Sequence, residues 1–400
     1  MLRAFAQMRD LSVGLLKCDY APPSAMTDDE RAGVESLTEI GVKVLEPFQF
    51  PEIAAVRNGY ARMLAPRLED HYPCARHASS LESVVKRFGA DVILIPWSEW
   101  LTGACADIDV PKFAYYGNPD TKSWNARLRF QWANGAIGIA RFGVETLLSH
   151  HLERAHLRQA MKYEWFGNVA HNDAIYYQQH GHKNAFYIQN IWVDRGLYAG
   201  SHALAKQGSG RGTVARIIAN VGKLGGTANT LGLHYLGHRL LPELQRTLTG
   251  TSYEIHILGA GEPHPAAAKE LAVPELLWRG FVDDIDAELS AATVFLCVNN
   301  ATDFKVGHTR YLHAWSLGTC VVAHRDAALS MPEIRHNENA LLGNTPDEIA
   351  YWVAEAARNE PLRRRIGDAG YETFRSHFTA ERVTSDIVER IRAGSQSRMG

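Results

Sequence analysis

"KVGHTRYLHAWSLGTCVVAH", residues 305–324, reads as a polar turn, a short helix and a buried strand in succession. The turn gathers Lys305, Gly307, His308, Thr309 and Arg310 ahead of an apolar face. The pattern predicts a helix from there to Leu317, ended by Gly318, since glycine accepts the backbone that a helix C-terminus needs. "TCVVAH" then runs continuously apolar instead of alternating. A strand of that kind is covered on both faces, which is the habit of parallel sheets between layers of helices.

The same rhythm extends outward in both directions. Before the quoted stretch come "ARIIANVG" (215–222), a helix expected from Thr230 to Gln245, "YEIHILGAG" (253–261), "LLWRGFV" (276–282) and "TVFLCV" (293–298). In the first half, "LSVGLL" (11–16), "DVILIPW" (91–97), "PKFAYY" (111–116) and runs around Val169 and Phe186 read as strands. "TDDERAGVESLTEIG" (27–41) reads as a helix with Thr27 as N-cap and an acidic first turn. "KQGSGRG" (206–212) interrupts the rhythm as a linker. The expectation is an α/β chain of two Rossmann-like domains, 1–205 and 213–378, joined by 206–212. A terminal helix over 379–400 packs back on the first domain in this reading. Open parallel sheets bind ligands outside the carboxyl ends of their strands, so two of them face to face frame a cleft.

Bulk properties exclude several classes. The 400 residues are 46% hydrophobic and 22% charged, with a formal net charge of −2, which suits a globular protein and offers nothing to bulk nucleic acid. Cys18, Cys74, Cys105, Cys297 and Cys320 are scattered, without a CxxC pair, so a reduced compartment is expected and a disulfide framework is not. Arg3, Arg9 and Asp10 break up what would be the core of a signal peptide, and no apolar run is long enough to span a bilayer. A cytoplasmic protein is expected, with room for contact at the inner face of a membrane.

Three turns could carry chemistry. Gly222 and Lys223 lead into "KLGGTANTLG" (223–232), where Thr227 and Asn229 stand at a strand-to-helix junction suited to phosphate. The P-loop order is absent, and a plain glycine-rich turn is an equal reading. Gly259 in "ILGAG" (257–261) matches a fragment of GxGxxG, with His264 in the last glycine's place, too little to indicate a dinucleotide. In the third turn Arg310 has the fork geometry that suits a diphosphate, and His308 could assist it. A surface ion pair for Arg310, a capping role for His308 and a satisfied half-buried role for His313 are the plain alternatives. Asp283–Asp284 and His150–His151 lack a third ligand at matching spacing, so no metal is expected. Residues 122–166 read as helical. Trp124, Arg127, Arg129, Phe130, Trp132, Arg141 and Phe142 favour packing into the core, with an anionic membrane surface or a lipid-linked substrate as the other reading of Lys122–Phe142.

The ordered set "IANVGKLGG", "YEIHILGAG", "LLWRGFVDDIDAELSAATVFLCV", "HAWSLGTCVVAH" and "MPEIRHNENALL" resembles the nucleotide-sugar-dependent glycosyltransferases of the GT-B fold, retaining group-four type, over most of 216–378. "FGNVAHNDAIYYQQHGHKNAFYIQNIW" resembles the segment that ends their first domain. The resemblance implies a donor diphosphate held at Gly222–Lys223, with Asn229 in a later lysine's place. It implies base and ribose near Arg279, Gly280, Phe281 and Val282, and sugar and phosphate at Gly307, His308, Thr309 and Arg310. His313 stands where a glutamate usually holds the ribose, and Lys305 and His313 replace the family's acidic pair. The N-terminal Gly-Gly loop gives way to "KCDYAPPS" (17–24), and "YYGNPD" (115–120) occupies the place of a frequent catalytic histidine.

The implied reaction moves a hexosyl-type sugar from a UDP- or GDP-sugar to an acceptor hydroxyl, with no metal or other cofactor and with retention. Lys223, Arg310 and His308 would stabilise the charge that develops on the diphosphate. A carbohydrate, lipid-linked or small-molecule acceptor would enter near Lys17, Glu99, Asn118 and Asp120. A catalytically silent scaffold of the same fold is the alternative, as is a nucleotide-sugar epimerase, which needs acid/base carboxylates around the sugar.

Overall fold

The computed structural model describes residues 1–19, 27–50, 78–194, 214–307 and 309–399. The expected linker 206–212 and the boundary at 205 lie outside the described residues. Among the described residues of the first half stand eight strands: β1 (Gly14–Leu15), β2 (Cys18–Asp19), β3 (Lys43–Val44), β4 (Phe48–Gln49), β5 (Ile93–Pro96), β6 (Lys112–Tyr116), β7 (Trp165–Asn168) and β8 (Ala185–Tyr187). β5 to β8 form a four-stranded parallel sheet in sequence order, while β1 pairs with β3 and β2 with β4 as separate two-stranded ladders. "LSVGLL" therefore contributes a short strand and does not join the four-stranded sheet. β3 and β4 have no counterpart among the sequence-read strands, because Glu46 and Pro47 break their apolar pattern.

The second half folds as a six-stranded, all-parallel sheet: β9 (Ala215–Asn220), β10 (Tyr253–Leu258), β11 (Leu276–Gly280), β12 (Val294–Cys297), β13 (Val321–His324) and β14 (Leu341–Gly343). Their spatial order is β11-β10-β9-β12-β13-β14. Successive residues of these strands enter opposite cores. Ile217, Leu296 and Val322 pack on one face, and Ile218, Phe295 and Val321 pack on the other. That double burial explains the continuous apolar runs. The order also fixes a switch point, for the chain winds outward from β9 through β10 to β11 and then returns to place β12 at β9's other edge.

The helix after β9 begins at Thr227, three residues before the expected Thr230, and continues through a π-helical turn at Leu236–Leu240 into Leu241–Thr247. Pro242 accounts for the widened turn, because it has no N–H to give to the preceding turn and its ring crowds a carbonyl there. The terminal helix, Ala380–Met399, returns to the first domain. Val383, Ile387 and Val388 share a core with Phe5, Phe113, Val169 and Ile188, and the Arg390 guanidinium lies 4.2 Å from the Phe186 ring centre. No helix among the described residues is long and apolar enough to cross a membrane.

The two domains touch along their cleft-side loops. Ser123 Oγ donates to Thr227 Oγ1 at 2.9 Å, and Asn172 Nδ2 donates to the Lys305 carbonyl at 3.1 Å. The Lys122 ammonium bonds both the Asp173 carboxylate and that same carbonyl. Tyr187 and Gln189 both reach Glu333, at 2.8 and 2.9 Å.

Candidate functional site

The switch-point crevice opens at the carboxyl ends of β9 and β12. Beyond β9 the chain turns at Gly222, whose φ of +104° favours glycine. Gly259, beyond β10, has φ +147°, and a Cβ there would stand 1.9 Å from the Gly222 carbonyl oxygen. Two strand ends thus meet backbone to backbone, and their loops are stitched together by Leu224 N–H to the Ala260 carbonyl at 3.0 Å. The Gly259 N–H in turn reaches the Gly280 carbonyl at 2.8 Å, which attaches the turn after β11. Gly225 and Gly226 are exposed, and the helix at Thr227 starts from Gly226 without a side-chain cap. Its first N–H groups remain available at the positive end of the helix.

Arg310 closes this turn from above. It belongs to the helix Thr309–Ser316, and its Nε donates to the Val221 carbonyl at 2.7 Å. One terminal nitrogen lies 3.8 Å from where a Gly222 Cβ would be. Burial pushes the Arg310 pKa down from its ordinary value, and the facing Cys297 and Tyr311 push it up. A guanidinium nevertheless stays charged at neutral pH. The result is a positioned cation beside uncovered backbone N–H groups.

The other sequence-read residues fall into three groups. Lys223 is exposed at the rim, and Thr227 is engaged by Ser123 across the cleft. Asn229 is buried within the scaffold: its amide donates to the Lys223 carbonyl at 2.8 Å, and its Oδ1 accepts from Asn299 at 3.1 Å. Asn299 was not singled out from sequence; its only signal is the polar "NN" directly after an apolar strand. Gly307 packs its backbone against the Val169 carbonyl of the first domain, where a Cβ would approach to 2.7 Å. Thr309 opens the helix, and His308 lies outside the described residues. At the end of β11, Arg279 is exposed and 3.4 Å from Glu288. Gly280 has φ +65°, Phe281 is 76% exposed, and Val282 is partly buried.

His313 is buried one turn along the Arg310 helix. Its Nε2 meets Asp286 Oδ1 at 2.5 Å, and the Trp192 ring lies 5.0 Å from its own. Lys305 pairs with Asp326 at 2.6 Å and donates to the Asn300 carbonyl at 2.9 Å. His313 and Lys305 therefore each carry an aspartate of their own. Neither aspartate stood out in sequence, because both sit in ordinary helix-start surroundings.

On the first-domain side, Glu99 is buried. It accepts from Tyr116 Oη at 2.6 Å and from the Asp120 N–H at 2.7 Å, and His156 stands 3.7 Å away. Desolvation and then the Glu99 charge push the Asp120 carboxyl up to about 6, though solvent at its exposed edge screens part of this. The Asn118 amide donates to the Pro119 carbonyl at 3.3 Å. Lys17 is half-buried just before β2, and its carbonyl accepts from the Phe48 N–H at 2.8 Å.

The Lys122–Phe142 stretch spans the first helix, the turn and the start of the second helix of a hairpin, Asp120–Ala133 and Ile139–Ala160. Core packing accounts for only part of it. Phe130 is buried against His234 and His264 of the second domain, and Trp124 donates to Glu145 at 3.1 Å. Trp132 stacks on Phe142 with the ring centres 4.8 Å apart, yet it stays about half exposed, and Ile139 is 75% exposed. Among the described residues, no three His, Cys, Asp or Glu side chains gather as metal ligands.

Residues 215–359 match the family model described as Glycosyl transferases group 1. No curated protein sequence matches the chain. Solved structures do match in fold. Anabaena HepE, in a complex with UDP and glucose, superposes with a TM-score of 0.60 at 15% identity, over 98% of this chain and 94% of that one. Sucrose-phosphate synthase from Thermosynechococcus elongatus gives 0.60 at 13% identity, over 96% and 100%. A glycosyltransferase from Rickettsia africae gives 0.55 at 11% identity, over 96% and 98%. The chain has the GT-B fold, and within its second domain residues 215–359 are similar to the glycosyl transferases group 1 model.

Proposed function

We propose that the protein transfers a sugar from a nucleoside-diphosphate sugar to an acceptor hydroxyl, with retention and without a metal ion. The observation that carries this reading is Arg310, fixed on the Val221 carbonyl against the Gly222 turn, beside the uncapped helix start at Thr227. The bond from the anomeric carbon to the diphosphate oxygen breaks, and the diphosphate leaves with the electron pair. The acceptor oxygen bonds to the anomeric carbon, and its proton passes to the departing phosphate or to water. Charge grows on the diphosphate as the bond lengthens, where a preorganised cation and helix N–H groups stabilise it most. Lys223 at the rim adds a mobile second cation. HepE, which holds UDP and glucose, supports UDP as the nucleotide to try first. The loops of the two domains, already in contact at Ser123 and Thr227, would exclude water around the donor.

Arg310→Ala should lower turnover by roughly 100-fold or more, the scale of losing one preorganised donor, while UDP-glucose hydrolysis and transfer fall together. Full turnover in that variant would remove Arg310 from the mechanism. A thermal shift with UDP that survives a chelator is expected, about 2.7 kcal/mol at a hundredfold excess over Kd. Donor conversion with no acceptor present would replace this reading with an epimerase, and binding without turnover would replace it with a silent module.

The reading extends to a peripheral contact at the cytoplasmic face of a membrane. The hairpin carries exposed Trp132, Ile139 and Leu147 and exposed Arg127, Arg129 and Arg141, a composition that suits an anionic lipid surface. Sedimentation with phosphatidylglycerol vesicles, weakened by Ile139→Asp, checks it. Equal sedimentation of both proteins removes the hairpin from any such contact.

A further inference from the structure

One helix of the first domain, Asp120–Ala133, touches both turns of the second domain that face the crevice. In its first turn Ser123 meets Thr227, where the helix after β9 begins. One turn further on, Ala126 is buried in a small cluster with Phe304 and Val306, against which Ala228 and Leu231 also pack. The same helix therefore reaches the uncapped helix start and the segment that leads into the Arg310 helix.

That segment, Lys305 to Gly307, is held residue by residue, and the two domains share the work. The Lys305 ammonium is spent on the Asn300 carbonyl and on Asp326 of its own domain. The Lys305 carbonyl accepts from the Lys122 ammonium and from Asn172 Nδ2 of the first domain. The Val306 N–H donates to Asn300 Oδ1 at 3.1 Å, and its carbonyl accepts from Asn300 Nδ2 at 3.2 Å. Gly307 then lies against the Val169 carbonyl of the first domain, too close for a Cβ. Thr309 and Arg310 follow in the next helix. Lys122 is itself fixed from within the first domain. It pairs with the buried Asp173 carboxylate, whose Oδ2 has no hydrogen-bond partner among the described residues. A cation held in this way and bonded to a backbone carbonyl fixes the path of the chain, which a bond to a flexible side chain does not.

We propose that Lys122 is a positioning residue for the donor site: by holding the Lys305 carbonyl it sets the turn that delivers Arg310, so the diphosphate site is complete only while the two domains are in contact. This rests on the glycosyl-transfer reading, and it adds a first-domain residue to a site whose other groups all lie in the second domain. Donors aimed at a diphosphate act fully only within a fraction of an ångström of the right place, so a slack turn weakens binding even though Arg310 is still present. The coupling is reciprocal, and a bound nucleotide therefore tightens the contact between the domains.

Titration calorimetry on the full chain, with UDP and with GDP, tests this. Lys122→Met should weaken the tighter of the two about tenfold, equivalent to about 1.4 kcal/mol. Lys122→Arg keeps a charge for Asp173 and a donor for the carbonyl, and it should recover most of that loss. Lys122→Met combined with Asp173→Asn separates binding from folding. It removes the buried unpaired charge, so the melting temperature should return toward the native value while nucleotide affinity stays about tenfold down. Glu333→Ala removes the contact with Tyr187 and Gln189 without touching the turn, and it should leave the affinity unchanged. Recovery of affinity along with stability in the double variant overturns the proposal and leaves Lys122 a purely structural residue. Equal weakening by Glu333→Ala overturns it too, because any contact between the domains would then serve. Failure of the native protein to bind either nucleotide overturns the donor-site reading and this inference with it, whereas nucleotide binding that ignores Lys122 overturns this inference alone.

Discussion

Backbone conformation carries the clearest consequences at single residues. Gly259 combines a positive φ with a Cβ position already filled by the Gly222 carbonyl. Gly259→Ala must therefore move one of two strand ends. Backbone strain alone costs roughly 1–3 kcal/mol, so a lower melting temperature and loss of the UDP-induced shift are expected together. A stable variant that still binds UDP would show that the turn has slack. The Asp120 carboxyl makes a second prediction. Its pKa is raised from 3.8 to about 6 in the folded protein, so the folded state holds this proton more tightly than the unfolded chain does. Its contribution to stability is fully present below about 3.8 and is lost as pH rises through about 6. Asp120→Asn should thus gain on the native protein in melting temperature between pH 4 and pH 7, and a constant difference across that range would refute the shift. Lys223, Gly222 and Arg310 could be picked out in sequence because glycine and cation clusters at strand ends are rare. Asp286 could not, because nothing in the letters reports a partner 27 residues away.

Among whole elements, the terminal helix has the largest effect for its position. It follows the second domain along the chain and packs on the first, as read from sequence, with Ile387 fully buried beside Phe113 and Val169. Ile387→Ala should cost roughly 2–5 kcal/mol in denaturant unfolding of the first domain, the range for emptying a buried aliphatic site. An unchanged midpoint would mean that the helix lies on the surface without supporting the core. Strand periodicity in the second domain was legible because its sheet is buried on both faces. The first-domain strands β1 to β4 were harder to read, since two-residue strands have no period to detect. The π-helical turn before Pro242 shows the same limit in a helix: proline announces an interruption, but only packing decides whether the helix ends or widens.

Over the whole molecule, the Lys122–Asp173 pair and its bond to the Lys305 carbonyl join the two domains. Asp173 is buried, and burial raises its pKa, with Lys122 opposing that shift. Lys122→Met leaves a buried carboxylate without its counter-charge and should cost more stability than the double variant Lys122→Met with Asp173→Asn. Small-angle scattering should also report a more extended molecule for the single variant. Equal losses in single and double variants would show that the pair is not coupled. The sequence by itself determined the α/β class, the two-domain plan, the parallel second sheet and the glycine-rich turns, because burial on two faces and tight turns restrict which residues a position accepts. Tertiary structure alone decided that β9 and β12 flank the switch point, that Arg310 folds back on Val221, and that Lys305 and His313 each take an aspartate. These are contacts between residues far apart in the chain, and local pattern constrains what a residue can do without specifying which distant group it meets.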